Sequence, residues 1–229
     1  MDQPLGVRLG AEALGTFFFF FLGFSGIAVV VEYGGSTIGA VGVAAAFGFG
    51  LALAIAAWGH LSGGHYNPAV TAGLATARRF PPRDVIPYWL AQVFGGLCAV
   101  GVMAVAFGSK VTNELGTKPG PGVGSWDAVL LEAIVTALLV VVVLTVATDT
   151  RAPWHGVMAP FLIGLVIFTG AVAVGPSSGG SFNPARSFVP IVYNGDWGAL
   201  WIYIVGPFAG AIVGAAVWAF VCLRKAVTA

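Results

Sequence analysis

The chain has 229 residues, of which 58% are hydrophobic and 8% charged, with a formal net charge of +1 and a mean hydropathy of +0.94. Soluble domains carry about 25% charged residues, so this composition excludes a water-soluble globule, and the near-zero charge leaves no footprint for nucleic acid. Cys98 and Cys222 both lie in apolar runs and read as small core residues, which excludes a disulfide framework.

A helix that crosses a bilayer needs about 20 apolar residues. Six runs meet that length, at roughly 9–31, 40–59, 85–107, 127–147, 155–174 and 197–221. They are continuous, unlike the short alternating segments of an outer-membrane barrel. The first is too long for the core of a cleavable signal and contains Glu12. After the second and the fifth run come shorter apolar pieces, about 67–78 and 183–193, which do not reach across. Each opens on Asn-Pro-Ala, as Asn67-Pro68-Ala69 and Asn183-Pro184-Ala185. Asn is a strong helix N-cap, and Pro is at home in the first helical position, where its missing N–H costs nothing. Each piece therefore predicts a half-helix that begins at its Asn. The Gly- and Pro-rich stretch 108–126 predicts a loop near the middle of the chain.

The two halves repeat. SGGHYNPAVT at 62–71 aligns with SGGSFNPARS at 178–187, an offset of 116. EALGT at 12–16 aligns with EAIVT at 132–136, and YWLAQVFGG at 88–96 with YIVGPFAGA at 203–211. Each half holds three spans and one half-helix, and three is odd, so the halves enter the membrane from opposite sides. The expected fold is an all-α membrane protein of six transmembrane helices and two re-entrant half-helices. It forms a single domain over 1–229, with inverted repeats at approximately 1–107 and 127–229 joined by loop 108–126. Placing the N-terminus in the cytoplasm puts Arg8, Arg78, Arg79, Arg83, Arg151, Arg224 and Lys225 inside and only Lys110 and Lys118 outside, as the positive-inside rule asks.

Irregular backbone at membrane depth is tolerated only inside protein or beside a water-filled cavity. Two half-helices entering from opposite faces meet near the midplane, Asn to Asn, with their positive dipole ends pointing there. The Gly-Gly stretches ahead of them offer carbonyl oxygens, because Gly permits the backbone angles required. A narrow pore built this way has acceptors along one wall and two amide donors at its centre, and its positive centre repels cations and protons. Arg186 stands at membrane depth, where a charge costs on the order of 3 kcal/mol. Its functional reading is a pore-lining donor and electrostatic barrier; its plain reading is a salt bridge to a buried acid. Glu12 and Glu132 occupy equivalent places and are expected to accept hydrogen bonds from loop N–H groups, in preference to relaying protons. His65 has no partner at ligand spacing, and no metal or other cofactor is expected.

Two Asn-Pro-Ala motifs in matched membrane contexts, Arg186 directly after the second, and the repeated Glu-x-x-x-Thr resemble the aquaporin (major intrinsic protein) family over nearly the whole chain. The resemblance implies a homotetramer in which each subunit holds its own pore. It implies Asn67 and Asn183 as central donors, and the carbonyls of Gly63, Gly64, His65, Gly179, Gly180 and Ser181 as the acceptor ladder. It also implies that Glu12 and Glu132 brace the loops. Counting from the motifs, the family's outer constriction falls on Phe47, Ala171, Gly180 and Arg186. Water-selective members of the family typically have His at the second of these positions, and glycerol facilitators have an aromatic residue at the third; Ala171 and Gly180 are neither. Ser187 follows Arg186 as in water channels, where glycerol facilitators carry Asp.

These features together predict passive conduction of water and small uncharged solutes through a multi-pass protein of the plasma membrane, with both termini cytoplasmic. The alternative is a facilitator of glycerol, urea, ammonia or metalloid acids for which water is secondary. An ion-coupled transporter would need more ionisable groups in the path than the sequence offers. The small loops argue against a structural junction protein. No nucleophile–base pair is visible, so no enzyme activity is expected.

Overall fold

The computed structural model describes residues 3–222; Arg224 and Lys225 lie outside them. Among the described residues eight α-helices follow in order: α1 (Leu5–Tyr33), α2 (Gly39–Ser62), α3 (Pro68–Thr76), α4 (Val85–Thr112), α5 (Ser125–Val143), α6 (Ala159–Ser178), α7 (Pro184–Asn194) and α8 (Leu200–Cys222). A 3₁₀ turn, Pro82–Asp84, leads into α4, and a π turn, Leu144–Thr148, ends α5. Six of these helices are long and apolar enough to cross a membrane. The two short ones, α3 and α7, begin at the Asn-Pro-Ala motifs. No strand occurs among the described residues.

Several boundaries differ from the expected ones. The α4 helix runs on to Thr112 across a break at Gly108, whose φ of 69° and ψ of −167° only glycine adopts easily. The predicted loop 108–126 is thereby shortened to 113–124. The fifth span starts at Ala159 and not near 155, because turns occupy residues 150–157. The first span extends four residues further toward the N-terminus, to Leu5, where Pro4 ends it.

Equivalent close approaches knit each half. Gly95 of α4 lies against the backbone of α1, where a Cβ would overlap the Ala13 carbonyl; Gly210 of α8 meets the Ala133 carbonyl of α5 in the same way. In a lipid solvent, helices associate through such small-residue contacts, since burial of apolar surface drives little. The core includes the buried side chains of Phe19, Phe20, Phe24, Tyr66, Phe182 and, toward one end, Trp218.

Charge is divided between the two ends of the bundle. At one end Arg8 pairs with Asp84 at 2.8 Å, Arg79 lies 5.1 Å over the Trp218 ring, and Arg151 donates to the Cys222 carbonyl at 2.7 Å. There the Arg151 guanidinium, hydrogen-bonded to Asp149, holds that carboxyl down at about 2. At the other end of α1, roughly 40 Å away for a helix of that length, Lys110 pairs with Glu32 at 3.1 Å.

Candidate functional site

The half-helices α3 and α7 start where they do because their Asn side chains cap them. Asn67 Oδ1 accepts from the Ala69 N–H at 2.8 Å; Asn183 Oδ1 accepts from Ala185 at 3.0 Å and Arg186 at 3.3 Å. Pro68 and Pro184 follow in the first helical position. With each oxygen turned to its own helix, each amide nitrogen faces the other half. Asn67 Nδ2 donates to the Phe182 carbonyl at 2.8 Å and Asn183 Nδ2 to the Tyr66 carbonyl at 2.9 Å. This exchange clasps the two re-entrant segments together. An amide has two N–H groups, so the clasp leaves one donor on each Asn.

The clasp depends on two loops holding unusual shapes. Gly63, Gly64 and Tyr66 in the first, and Gly179, Gly180 and Phe182 in the second, all have positive φ. A buried carboxylate braces each loop. Glu12 accepts from the N–H groups of His65 and Tyr66, both at 2.9 Å, from the Ser62 hydroxyl at 2.7 Å and from Gln92 Nε2 at 2.8 Å. Glu132 accepts from Ser181 at 3.0 Å, Phe182 at 2.6 Å and the Ser178 hydroxyl at 2.8 Å. With the loop N–H groups turned toward the carboxylates, the carbonyls turn away from them. Among the described residues, the carbonyls of Gly63, Gly64, His65, Gly179, Gly180 and Ser181 accept no hydrogen bond from the protein.

Phe47, Ala171, Gly180 and Arg186 line one cavity of about 360 Å³ toward the end of the bundle away from Arg8, Arg79 and Arg151. A Cβ on Gly180 would stand 3.8 Å from the Ala171 Cβ, so these two positions lie side by side on the cavity wall. Phe47 is held by Phe24, ring edge to ring face at 5.8 Å. Arg186 makes no ion pair within 4 Å among the described residues, which sets aside the salt-bridge reading. Its Nη1 donates to the Leu115 carbonyl at 2.7 Å, and its guanidinium carbon lies 5.0 Å and 5.4 Å from the centres of the Phe47 and Phe24 rings. A hydrogen bond from a charged donor contributes about 1.5–3 kcal/mol and a desolvated cation–π contact up to about 2 kcal/mol. Together these match the cost of on the order of 3 kcal/mol for a charge at membrane depth.

On the other side of the clasp lies a much smaller cavity of about 10 Å³, which is room for about one water. Gly64, His65, Asn67 and Val70 line it, with Leu51 and Ile163 opposite. Val70 and Arg186 occupy equivalent places in the repeat, and they face different cavities. His65 Nδ1 is 3.1 Å from the Thr71 hydroxyl, and no group of three metal-binding side chains occurs among the described residues.

Some contributors escaped the sequence reading. Ser62 and Ser178 open the repeated SGG phrases, so the alignment carried a signal for them. Gln92 lay within an aligned stretch, but its mate is Pro207, and the mismatch hid its role. Leu115, Glu114 and Gly116 reach the mouth from a loop with no recognisable pattern.

The model of the family described as "Major intrinsic protein" matches residues 7–218. The chain belongs to the major intrinsic protein family. Among its relatives, Aquaporin NIP1-1 of Oryza sativa subsp. japonica is 40% identical over 221 residues, covering 96% of this chain and 75% of the relative. Aquaporin AqpM of Methanothermobacter thermautotrophicus is 38% identical over 233 residues, covering 91% and 94%. In fold, the chain matches the X-ray structure of the aquaglyceroporin from Plasmodium falciparum with a TM-score of 0.86 at 23% identity, covering 96% of this chain and 98% of that one. The protein is thus a multi-pass membrane channel for water or small neutral solutes, and not an enzyme.

Proposed function

We propose that this channel passes water together with small uncharged solutes such as glycerol, urea, ammonia or undissociated metalloid acids, while excluding protons and ions. The observation that carries the reading is the outer cavity, which Phe47 and Arg186 share with two nearly bare positions, Ala171 and Gly180. A methyl and a hydrogen there remove bulk and donors that a strict water filter uses. Asn67, Pro68 and Ala69 with Asn183, Pro184 and Ala185 form the pore centre, each Asn offering its remaining N–H to the passing molecule. The free carbonyls of Gly63, Gly64, His65, Gly179, Gly180 and Ser181 are the acceptors on either side. The ends of α3 and α7 and the Arg186 guanidinium supply the positive potential that rejects cations.

The chain acts as a single channel domain, with inverted repeats at approximately 1–107 and 127–229. The arginine-bearing end, where the chain begins, is the cytoplasmic one, which places both termini inside the plasma membrane of the cell. The assembly is a homotetramer with one pore per subunit, as the family resemblance implies.

Stopped-flow light scattering on proteoliposomes tests this reading. Water permeability should exceed that of empty vesicles by tenfold or so, the scale of about 1.4 kcal/mol in barrier, and glycerol and urea should enter as well. Shrinkage no faster than in empty vesicles would overturn water conduction. Exclusion of glycerol and urea would overturn the open mouth and leave water conduction standing. Solute entry with little water flux would favour a dedicated neutral-solute facilitator.

A further inference from the structure

Thr117 belongs to the loop 113–124, outside both re-entrant segments, yet it is buried among them. Its hydroxyl lies 2.6 Å from that of Ser187, which lies 2.6 Å from that of Ser181, which lies 2.9 Å from the Asn183 carbonyl oxygen. Three hydroxyls bring three protons to three contacts, and a carbonyl only accepts. One assignment satisfies all of them. Thr117 donates to Ser187, Ser187 to Ser181, and Ser181 to the Asn183 carbonyl.

The other half makes a related but shorter arrangement from different parts. Thr71, the mate of Ser187, donates to the Asn67 carbonyl at 3.0 Å and meets His65, the mate of Ser181. There the third member is Gln92 of α4, whose Nε2 donates to Thr71 at 3.0 Å. Pro207, which aligns with Gln92, has no side-chain donor. A loop residue therefore takes the place that a helix residue fills in the first half. Two residues before Thr117, the Leu115 carbonyl accepts from Arg186. The Gly120 N–H also ties the loop, donating to the Ser177 carbonyl at 2.8 Å.

We propose that Thr117 is a positioning residue for selectivity: its hydrogen bond to Ser187 docks the loop on α7, so that the Leu115 carbonyl fixes the Arg186 guanidinium in the mouth. The inference rests on the reading of Arg186 as part of the outer constriction. Without the dock, the guanidinium loses a fixed acceptor and shares its cavity with Glu114, which lines the same space. The mouth then varies in width and admits larger solutes.

Two readouts on Thr117→Val, Thr117→Ser and Ser187→Ala decide the matter. The first is hydrogen–deuterium exchange of the amides in 113–120 on the detergent-solubilised protein. The second is the glycerol-to-water permeability ratio of proteoliposomes. Thr117→Val and Ser187→Ala should each raise both by about fivefold, the factor that loss of one buried hydrogen bond represents. Thr117→Ser, which keeps the donor, should stay near the wild type. Ser187→Ala severs the same chain and carries the expectation alone if Thr117→Val does not fold. Unchanged exchange, raised exchange with an unchanged permeability ratio, or failure of Thr117→Ser to restore the wild-type ratio would each overturn the proposal. Wild-type vesicles that pass neither water nor glycerol would instead overturn the constriction reading, while the exchange data still report on the docking.

Discussion

The segments 62–71 and 178–187 share six of ten letters and nearly the same backbone, and on the proposed reading they differ where the channel discriminates. Both cap a half-helix with Asn, both donate that Asn across the centre, and both hang from a buried glutamate. The common letters build the scaffold. The differing letters face different spaces: Val70 lines a cavity of about 10 Å³, and Arg186 brings its charge to one of about 360 Å³. Symmetry of the backbone supplies the meeting point, and a broken symmetry of side chains supplies a direction.

The braces offer the most severe way to break the comparison. Glu12 accepts from four donors and Glu132 from three, because Gln92 has no counterpart at Pro207. A buried donor left without its partner costs about 1–3 kcal/mol. Glu12→Ala and Glu132→Ala should therefore both lose several kcal/mol by that rule, with Glu12→Ala the worse by one donor. The temperature at which each variant loses its monodisperse peak in detergent checks the order. Equal midpoints, or a worse Glu132→Ala, would show that Gln92 braces nothing.

Exchanging the unequal pair comes next. Arg186→Val removes the charge and both aromatic contacts, and vesicles carrying it should leak protons, read by an entrapped pH dye. Val70→Arg places a charge in a cavity of about 10 Å³, where it obstructs the path. Water permeability should then fall toward that of empty vesicles, while Arg186 still keeps protons out. A proton-tight Arg186→Val would refute the barrier role; a freely conducting Val70→Arg would show that the small cavity is not the path.

How much of this was legible in the sequence follows from which contacts are local. The spans, the half-helices and their starts come from apolar length and from Asn-Pro capping, which act within a few residues, and they emerged within about four residues of their predicted ends. Glu12 and Glu132 were visible because a repeat places them twice in an apolar setting. Phe47 and Ala171 were reachable only through the family resemblance, since they lie on two separate helices far from the motifs, whereas Arg186 stood out as a charge at membrane depth. Gln92, Thr117 and Leu115 were not reachable. Gln92 and Thr117 act through tertiary contacts that the repeat does not duplicate, and Leu115 acts through its backbone carbonyl, which no side-chain pattern announces. The end of α4 was misplaced because Gly108 bends the backbone without ending the helix beyond it.

The smallest effect sharpens the difference between the halves at the mouth itself. Ala171 stands beside Gly180, whose φ of +62° disfavours any side chain there. Bulk is therefore more readily added at 171 than at 180. Ala171→His puts an imidazole opposite Arg186, narrowing the mouth and restoring a donor. Glycerol and urea permeability should fall by about tenfold, since the barrier change required is only about 1.4 kcal/mol. Water permeability should change far less, because a water molecule exchanges hydrogen bonds with the new ring as it passes. The same solute panel in matched proteoliposomes reads both numbers. If solute entry is unchanged, residue 171 does not bound the path, and the discrimination lies deeper, at the one-water cavity beside Asn67 and Val70.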